Sequence, residues 1–178
     1  ATPVFESKAY EGFVPNDRPS RNAIYTDLEA ARPVMKMTQA CYRAVMEDLA
    51  SRRFSRELGG MLLGPDDTED LITHYVKDRY GKSTTASFTI DHQALNEEIR
   101  RVRPARMICV GLVHSHPDGI ARPSGGDLAF LERLFGPRKN RKGSQYFMFP
   151  IVCQQKLHPF IIDARNVQRV LAAELVLV

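Results

Sequence analysis

The chain has few of the features that mark membrane proteins or disulfide-rich secreted proteins. No run approaches the roughly 18 consecutive apolar residues of a membrane-spanning helix, and the first residues lack the basic and then apolar pattern of a signal peptide. Only three cysteines occur in 178 residues, and their odd number and wide spacing argue against a disulfide framework. We therefore expect a cytoplasmic protein that does not use a membrane as a partner.

An excess of charge of one sign is also absent. The formal net charge is +4 at pH 7, which is too small over this length to indicate nucleic acid binding by itself. Hydrophobic residues at 43% and charged residues at 26% are typical of an ordinary globular protein. The length suits one domain with a sizeable core and is too short for two large ones.

The N-terminal region differs from the rest of the chain. Residues 1–34 carry four prolines and no sustained hydrophobic period, which predicts an extended arm. Within this arm, the pattern predicts one possible short strand, at residues 23–26. Residues 35–178 predict a single domain.

Hydrophobic periodicity within that domain predicts three helices and a set of strands. One helix begins at Thr38, a second is capped by Asp91 and ends at Pro104, and a third begins after Ser124. Because strands and helices alternate around one sheet, the pattern predicts a compact α/β or mixed α+β domain. The strands are expected at residues 58–63, 71–76, 86–90, 107–113, 146–152, 159–162 and 173–178. The near-continuous apolar run 107–113 indicates a central strand buried on both faces.

The segment GLVHSHPDGIARPSGGD, residues 111–127, carries the main chemical signal. His114 and His116 alternate with Ser115 in a predicted strand, so both imidazoles project from the same face. The Pro/Gly-rich loop that follows can return the chain, so that Asp127 in the first turn of the next helix reaches the same point. Two histidines and one carboxylate, with one position left for water, are the ligand set of a catalytic zinc ion, which activates water for amide hydrolysis.

Each half of this pattern also has a purely structural explanation. Histidines in a core strand are often satisfied by hydrogen bonds, and Ser124-x-x-Asp127 matches a helix capping box. The two halves together favour the metal site. Cys109 lies an odd number of residues before His114, so in a regular strand it is expected to face away from the histidines. The absence of C-x-x-C, of H-E-x-x-H and of the zinc-deaminase signature disfavours other zinc sites.

The spacing of this segment resembles the motif of the JAMM (JAB/MPN-type) metalloproteases. The family pattern is His-x-His, seven residues, then Ser-x-x-Asp, with a glutamate well upstream. The positions that match it here are Glu57, His114, His116, Ser124 and Asp127. The resemblance covers about residues 38–165. It implies one JAB/MPN-like domain, in which a curved mixed sheet is flanked by about three helices with the layering of cytidine deaminases.

The resemblance also implies a role for each matching residue. His114, His116 and Asp127 would bind one zinc ion per chain. Glu57 would hold the zinc-bound water, take its proton and deliver it to the leaving amine, which a glutamate in that position is suited to do. Ser124 would stabilise the oxyanion. Without the downstream motif, a single glutamate before an apolar strand would be assigned no role, and the glycines that follow it would indicate only a close backbone approach.

The implied reaction is cleavage of an isopeptide or peptide bond after the C-terminal Gly-Gly tail of a ubiquitin-like protein or its conjugate. The short loops resemble compact bacterial or archaeal deubiquitinase-like members, some of which are encoded beside ubiquitin-like conjugation or antiviral defence systems. Two alternatives are a JAMM protease that processes sulfur-carrier proteins in biosynthesis and a non-catalytic MPN-type scaffold. The intact ligand set favours an enzyme.

Two groups of basic residues stand outside the motif. One is the loop at residues 138–142, and the other consists of Arg100, Arg101, Arg103 and Arg106. Such groups usually form a solvated surface. If both lie near the metal, they would recruit an acidic ubiquitin-like protein. Nucleic acid is not the expected partner; binding to it would show an affinity that falls steeply with salt.

Overall fold

The computed structural model describes residues 33–50, 57–68, 70–79, 90–117, 119–136 and 146–178. The possible strand at 23–26 and the basic loop 138–142 lie outside the described residues, as does nearly all of the arm predicted over residues 1–34 and of the strand predicted over 86–90. The boundary between an arm and a domain at residue 35 therefore stays a prediction.

The described chain contains three α-helices and eleven β-strands. The helices are α1 Gln39–Leu49, α2 His92–Val102 and α3 Gly125–Phe135, and a short 3-10 turn at Arg103–Ala105 follows α2. The strands are β1 Val34–Met37, β2 Gly59–Pro65, β3 Leu71–Ile72, β4 His74–Lys77, β5 Met107–Ser115, β6 Tyr146–Met148, β7 Ile151–Cys153, β8 Lys156–His158, β9 Phe160–Asp163, β10 Asn166–Ala172 and β11 Glu174–Leu177.

All three helices begin where the sequence predicts. The Thr38 hydroxyl accepts a hydrogen bond from the third residue of α1, the Asp91 carboxylate does the same for α2, and the Ser124 hydroxyl for α3. Each cap satisfies a backbone N–H that has no partner inside the helix, an interaction worth about 1 kcal/mol. None of the three helices has the length and apolarity that a membrane crossing requires.

The main sheet is mixed, and β5 is its central strand. Its strands follow the order β10-β9-β6-β5-β2-β4, and β7 with β8 extends it beside the end of β5. β5 is antiparallel to β2 and parallel to β6 and β7. Eight of its nine residues are buried, which confirms the central strand expected from the apolar run. The mixed sheet and three helices confirm the predicted α+β class.

A second, three-stranded parallel sheet was not predicted. Its order is β11-β1-β3. β1 begins at Val34, inside the stretch assigned to the arm. The predicted strand 71–76 divides at Thr73, whose N–H donates to the Leu63 carbonyl. The two parts, β3 and β4, belong to different sheets. The predicted strand 146–152 likewise divides at Phe149-Pro150, and β8 and β10 were missed.

Two hydrophobic clusters fill the faces of the main sheet. One includes buried residues of α2 and α3, and the other includes those of α1 and the small sheet. β5 has a bulge, since Leu62 pairs with Gly111 while Leu63 pairs with Cys109. The extra residue reverses the alternation of side chains between the two faces of β5. Cys109 therefore packs in the same cluster as Leu112 and Phe149, and the Phe149 ring contacts His114. The expectation that Cys109 faces away from the histidines is therefore wrong.

Candidate metal centre

Four of the five motif residues form one buried group. Glu57, His114, His116 and Asp127 each offer a ligand atom, and these atoms all lie within 4.8 Å of one another. None of the four is more than 5% exposed. Burial of so many ionisable side chains is costly unless they are paired or bind a metal, and such groups are concentrated at functional sites. The arrangement therefore marks this position as the candidate site.

The end of β5 supplies the two imidazoles. The His114 and His116 rings lie on the same face of the strand with centroids 4.7 Å apart, and their Nε2 atoms are 2.9 Å apart. The Phe149 ring packs against the His114 ring in a tilted arrangement, with the ring centroids 5.0 Å apart. Both Nε2 atoms therefore point to a common centre.

The first turn of α3 supplies the carboxylate. Asp127 Oδ1 lies 3.0 Å from His114 Nε2, and Oδ2 lies 3.1 Å from His116 Nε2. The same residue completes a capping box, because the Asp127 N–H donates to Ser124 Oγ at 3.1 Å and the Ser124 N–H donates to Oδ2 at 2.8 Å. Asp127 can therefore cap the helix and bind a metal at the same time. The capping hydrogen bonds hold its carboxylate in position.

A backbone carbonyl selects the tautomer of one imidazole. His116 Nδ1 lies 2.7 Å from the Ile120 carbonyl oxygen, and since a carbonyl only accepts, Nδ1 carries a hydrogen. In the neutral ring Nε2 then presents a lone pair, as a metal ligand must. This outer contact also fixes the orientation of the ring. No sequence pattern indicates the contact with the Ile120 carbonyl, because every residue carries a backbone carbonyl.

The donor set fits a zinc ion. The lone pair of His116 Nε2 and the acceptor-only Oδ2 of Asp127 face each other at 3.1 Å, so a proton or a cation is needed between them. The neighbouring donors are 2.9 to 3.1 Å apart, close to the separation of about 3.3 Å between ligands of a tetrahedral zinc ion. Two imidazoles and a carboxylate are also the ligand types that zinc prefers.

The electrostatics of the site favour a positive charge there. Burial acts to raise the pKa of Asp127, but the charge of His114 and hydrogen bonds from both histidines and from the Ser124 N–H hold that pKa well below its usual range. Burial acts to lower the pKa of His116, but the hydrogen bonds to Asp127 and to the Ile120 carbonyl, with the nearby carboxylate charges, raise it overall. A divalent cation would satisfy the same field.

Glu57 is placed by the strand pairing next to the site. Its Oε1 lies 3.9 Å from His116 Nε2. The adjacent Leu58 forms three hydrogen bonds with Ser115. The Ser115 N–H donates to the Leu58 carbonyl at 2.8 Å, the Leu58 N–H donates to Ser115 Oγ at 3.1 Å, and the Ser115 hydroxyl donates to the Leu58 carbonyl at 3.3 Å. The Ser115 hydroxyl thus binds the peptide unit that carries Glu57, although its side chain leaves β5 on the face opposite the histidines.

Close contact between β2 and β5 requires glycine beside this point. Gly59 pairs with His114, and a Cβ on Gly59 would lie 2.2 Å from the Val113 carbonyl oxygen. The close backbone approach that the glycines indicate is therefore present. Any side chain at this position would push β2, and with it Glu57, away from the histidines.

The four arginines do not surround the site. Arg106 directly precedes β5 and pairs with Asp66 at 3.1 Å, whereas the histidines lie at the other end of that strand, roughly 25 Å away at about 3.3 Å per residue. Arg100 and Arg101 are in the last turn of α2, which ends near the start of β5. The four arginines therefore do not lie near the metal centre, as they would need to if they recruited an acidic ubiquitin-like protein there.

Comparison with known families agrees with the fold. The model of the Prok-JAB family, described as prokaryotic homologs of the JAB domain, matches residues 38–168. Since this match spans well over half of the chain, the chain belongs to that family. The resemblance to JAMM/JAB-type proteins is thereby confirmed. No curated protein matches the chain.

Three solved structures are similar to the chain to different degrees. Protein DSY2949 from Desulfitobacterium hafniense is 21% identical, with a TM-score of 0.62 over 81% of this chain and 92% of that chain. A JAB1/MPN domain protein from Archaeoglobus fulgidus is 18% identical, with a TM-score of 0.44 over 80% and 96%. A structure described as a JAMM metalloprotease-like zinc site in the proteasome and signalosome is 17% identical, with a TM-score of 0.43 over 80% and 98%. At such identities the first of these likenesses supports the fold alone.

Proposed function

We propose that the chain is a zinc-dependent peptidase of the JAMM type. In this proposal His114, His116 and Asp127 bind one zinc ion, Glu57 is the general base and Ser124 is the oxyanion donor. The observation that carries the proposal is the buried convergence of Glu57 with the two imidazoles and the carboxylate within 4.8 Å. A scaffold without catalysis would have no need to keep a complete donor set and an adjacent base in its core.

The chain's own residues have separable tasks in this mechanism. A zinc ion held by the three ligands would lower the pKa of its water and polarise the substrate carbonyl. Glu57, with Oε1 3.9 Å from His116 Nε2, takes the proton of the attacking water and passes it to the leaving amine. Ser124 Oγ accepts the Asp127 N–H, so its own hydrogen can be donated to the oxygen on which negative charge develops.

The proposed substrate is a ubiquitin-like protein or its conjugate, cleaved after the C-terminal tail. Membership of the JAB family and the resemblance of the full motif support this choice. We place the reaction in a bacterial ubiquitin-like conjugation or antiviral defence system, with sulfur-carrier processing as the alternative that neighbouring biosynthetic genes would favour. The three cysteines are buried, which suits the reducing cytoplasm proposed for the protein.

The test combines metal content with cleavage of a ubiquitin-like protein fused through its Gly-Gly end to a reporter. Wild type and Glu57→Gln should each hold about one zinc ion per chain, but only wild type should cleave, because the substitution removes the base and keeps the ligands. Glu98→Gln on α2 is the matched control and should cleave normally. Full activity of Glu57→Gln, or of wild type after chelation, would refute the mechanism.

A further inference from the structure

The turn between β7 and β8 has two glutamines in an unfavourable backbone conformation. Cys153 pairs with Lys156, so the connection contains just Gln154 and Gln155, with φ angles of 51° and 62°. Two consecutive positive φ angles are those of a type I′ turn, where Asn-Gly or Gly-Gly is preferred. Other residues adopt this left-handed conformation at a cost in free energy. Both glutamines are exposed, so burial of their side chains does not offset that cost.

This turn lies beside the candidate metal centre. β7 runs parallel to β5 with Val152 opposite Ser115, and the His116 N–H donates to the Val152 carbonyl at 2.9 Å. The turn therefore follows directly beyond the level of the second histidine. A Cβ on Gly119, in the loop between the histidines and Asp127, would be 3.3 Å from Gln154 Nε2. The amide of this glutamine thus lies against the loop that borders the site.

An exposed apolar side chain stands on the same loop. Ile120 is 48% exposed, and among the described residues the other large apolar side chains that are exposed are Leu177 and Val178 at the C-terminal end. The main chain of Ile120 is held in place because its carbonyl accepts the hydrogen bond from His116 Nδ1. Its side chain is therefore presented to solvent at a fixed position next to a candidate zinc ligand.

We propose that Gln154 and Ile120 form the surface that binds an extended polypeptide segment leading into the metal centre. This inference rests on the proposed function and names two residues that select its substrate. A primary amide carries two donors and an acceptor, which match the peptide groups of an extended main chain. Ile120 contacts an apolar side chain of the same segment. The strain of the turn is kept because the glutamine amide contributes to binding.

The test uses the zinc-loaded Glu57→Gln protein, in which binding is separated from cleavage. The probe is a fluorescein-labelled peptide of the ten C-terminal residues of a ubiquitin-like protein, ending in Gly-Gly, and its Kd is measured by fluorescence anisotropy. Gln154→Gly combined with Gln155→Gly removes both amides and leaves a pair that type I′ turns favour. We expect an unchanged zinc content, a Tm no lower than that of the parent and a Kd raised at least fivefold.

Two further variants complete the experiment. Ile120→Ser should also raise the Kd at least fivefold with zinc retained, because the contact to His116 comes from the main chain. Gln93→Ala, on an exposed position of α2, should leave the Kd unchanged. Kd values within twofold of the parent in both site variants overturn the inference, as does a parent protein that fails to bind the peptide. Peptide binding that is lost in the variants, with no cleavage by wild type, refutes the proposed function and supports the inference.

Discussion

The Ser115 hydroxyl offers the sharpest test of how the base is positioned. Ser115→Ala removes the oxygen that accepts the Leu58 N–H at 3.1 Å, and the site is buried, with Ser115 5% exposed. A buried donor left without its partner costs about 1–3 kcal/mol. At about 2–4 °C per kcal/mol for a chain of this size, Tm should fall by roughly 2–12 °C. The bond from the Ser115 N–H to the Leu58 carbonyl, 2.8 Å long, stays and keeps β2 paired to β5.

The same substitution should affect catalysis more than binding. A shift of the Leu58 peptide displaces Glu57, and a misplacement of about 1 Å in a reacting group costs on the order of 100-fold in rate. We therefore expect kcat to fall roughly 10- to 100-fold with KM nearly unchanged. Zinc content should stay at that of wild type, because the imidazoles leave β5 on the opposite face.

Steady-state cleavage of the reporter fusion, metal analysis and thermal melting together check this prediction. Ser115→Thr keeps the hydroxyl and should retain the wild-type kcat. If only the volume of the side chain mattered, a threonine would not be expected to do so. Thr73→Val removes another hydroxyl that contacts β2, 3.5 Å from the Leu63 carbonyl oxygen, and should leave kcat unchanged. The reasoning fails if Ser115→Ala retains the wild-type kcat, or if its loss of activity follows a loss of zinc.

Three other outcomes follow from the packing and the charges. Gly59→Ala should lower the free energy of unfolding by about 1–3 kcal/mol or more, because the new Cβ would lie 2.2 Å from the Val113 carbonyl oxygen. Gly125→Ala is the control, since nothing lies within 4 Å of its Cβ, and it should leave the free energy of unfolding unchanged. Denaturant titration measures both variants. Asp127→Asn should abolish zinc binding in metal analysis while the protein stays folded by circular dichroism; retained zinc would contradict its role as a ligand. Burial raises the pKa of Cys41 to about 12, so at pH 8 only about one thiol in ten thousand is ionised, and Ellman's reagent should leave it unmodified until the protein unfolds. Since its pKa is raised on folding, the stability that this thiol contributes should be lost as pH rises from about 9 towards 12.

The parts of the fold that follow local rules could be predicted from the sequence. Capping residues fixed the starts of all three helices, because Thr38, Asp91 and Ser124 each bond to a nearby N–H of their own helix. The His-x-His spacing placed both imidazoles on one face, since alternation in a strand is local. The family motif then pointed to Glu57, which no local pattern distinguishes from a solvated glutamate.

The parts that depend on distant partners could not be predicted. The small parallel sheet pairs residues far apart in sequence, and no periodicity marks β1 or shows that the predicted strand 71–76 is divided between two sheets. The bulge that turns Cys109 to the histidine face arises from the register of β5 against β2, which a single strand does not encode. Ser115 and the Ile120 carbonyl bind across such long-range or loop contacts, so their positioning roles became visible only in the folded chain.

The site also explains why its two halves occur together. Asp127 alone would be an ordinary capping carboxylate, and His114 with His116 alone would be a buried pair satisfied by hydrogen bonds. Once α3 docks its first turn against the end of β5, the carboxylate oxygens approach both Nε2 atoms at 3.0 and 3.1 Å, and four ionisable side chains become buried in contact. When His116 is neutral, the lone pair on its Nε2 faces the Asp127 carboxylate, so the fold itself creates a position that a proton or a metal cation stabilises. The capping box is then the device that holds a metal ligand rigid, which is what a preorganised catalytic centre requires.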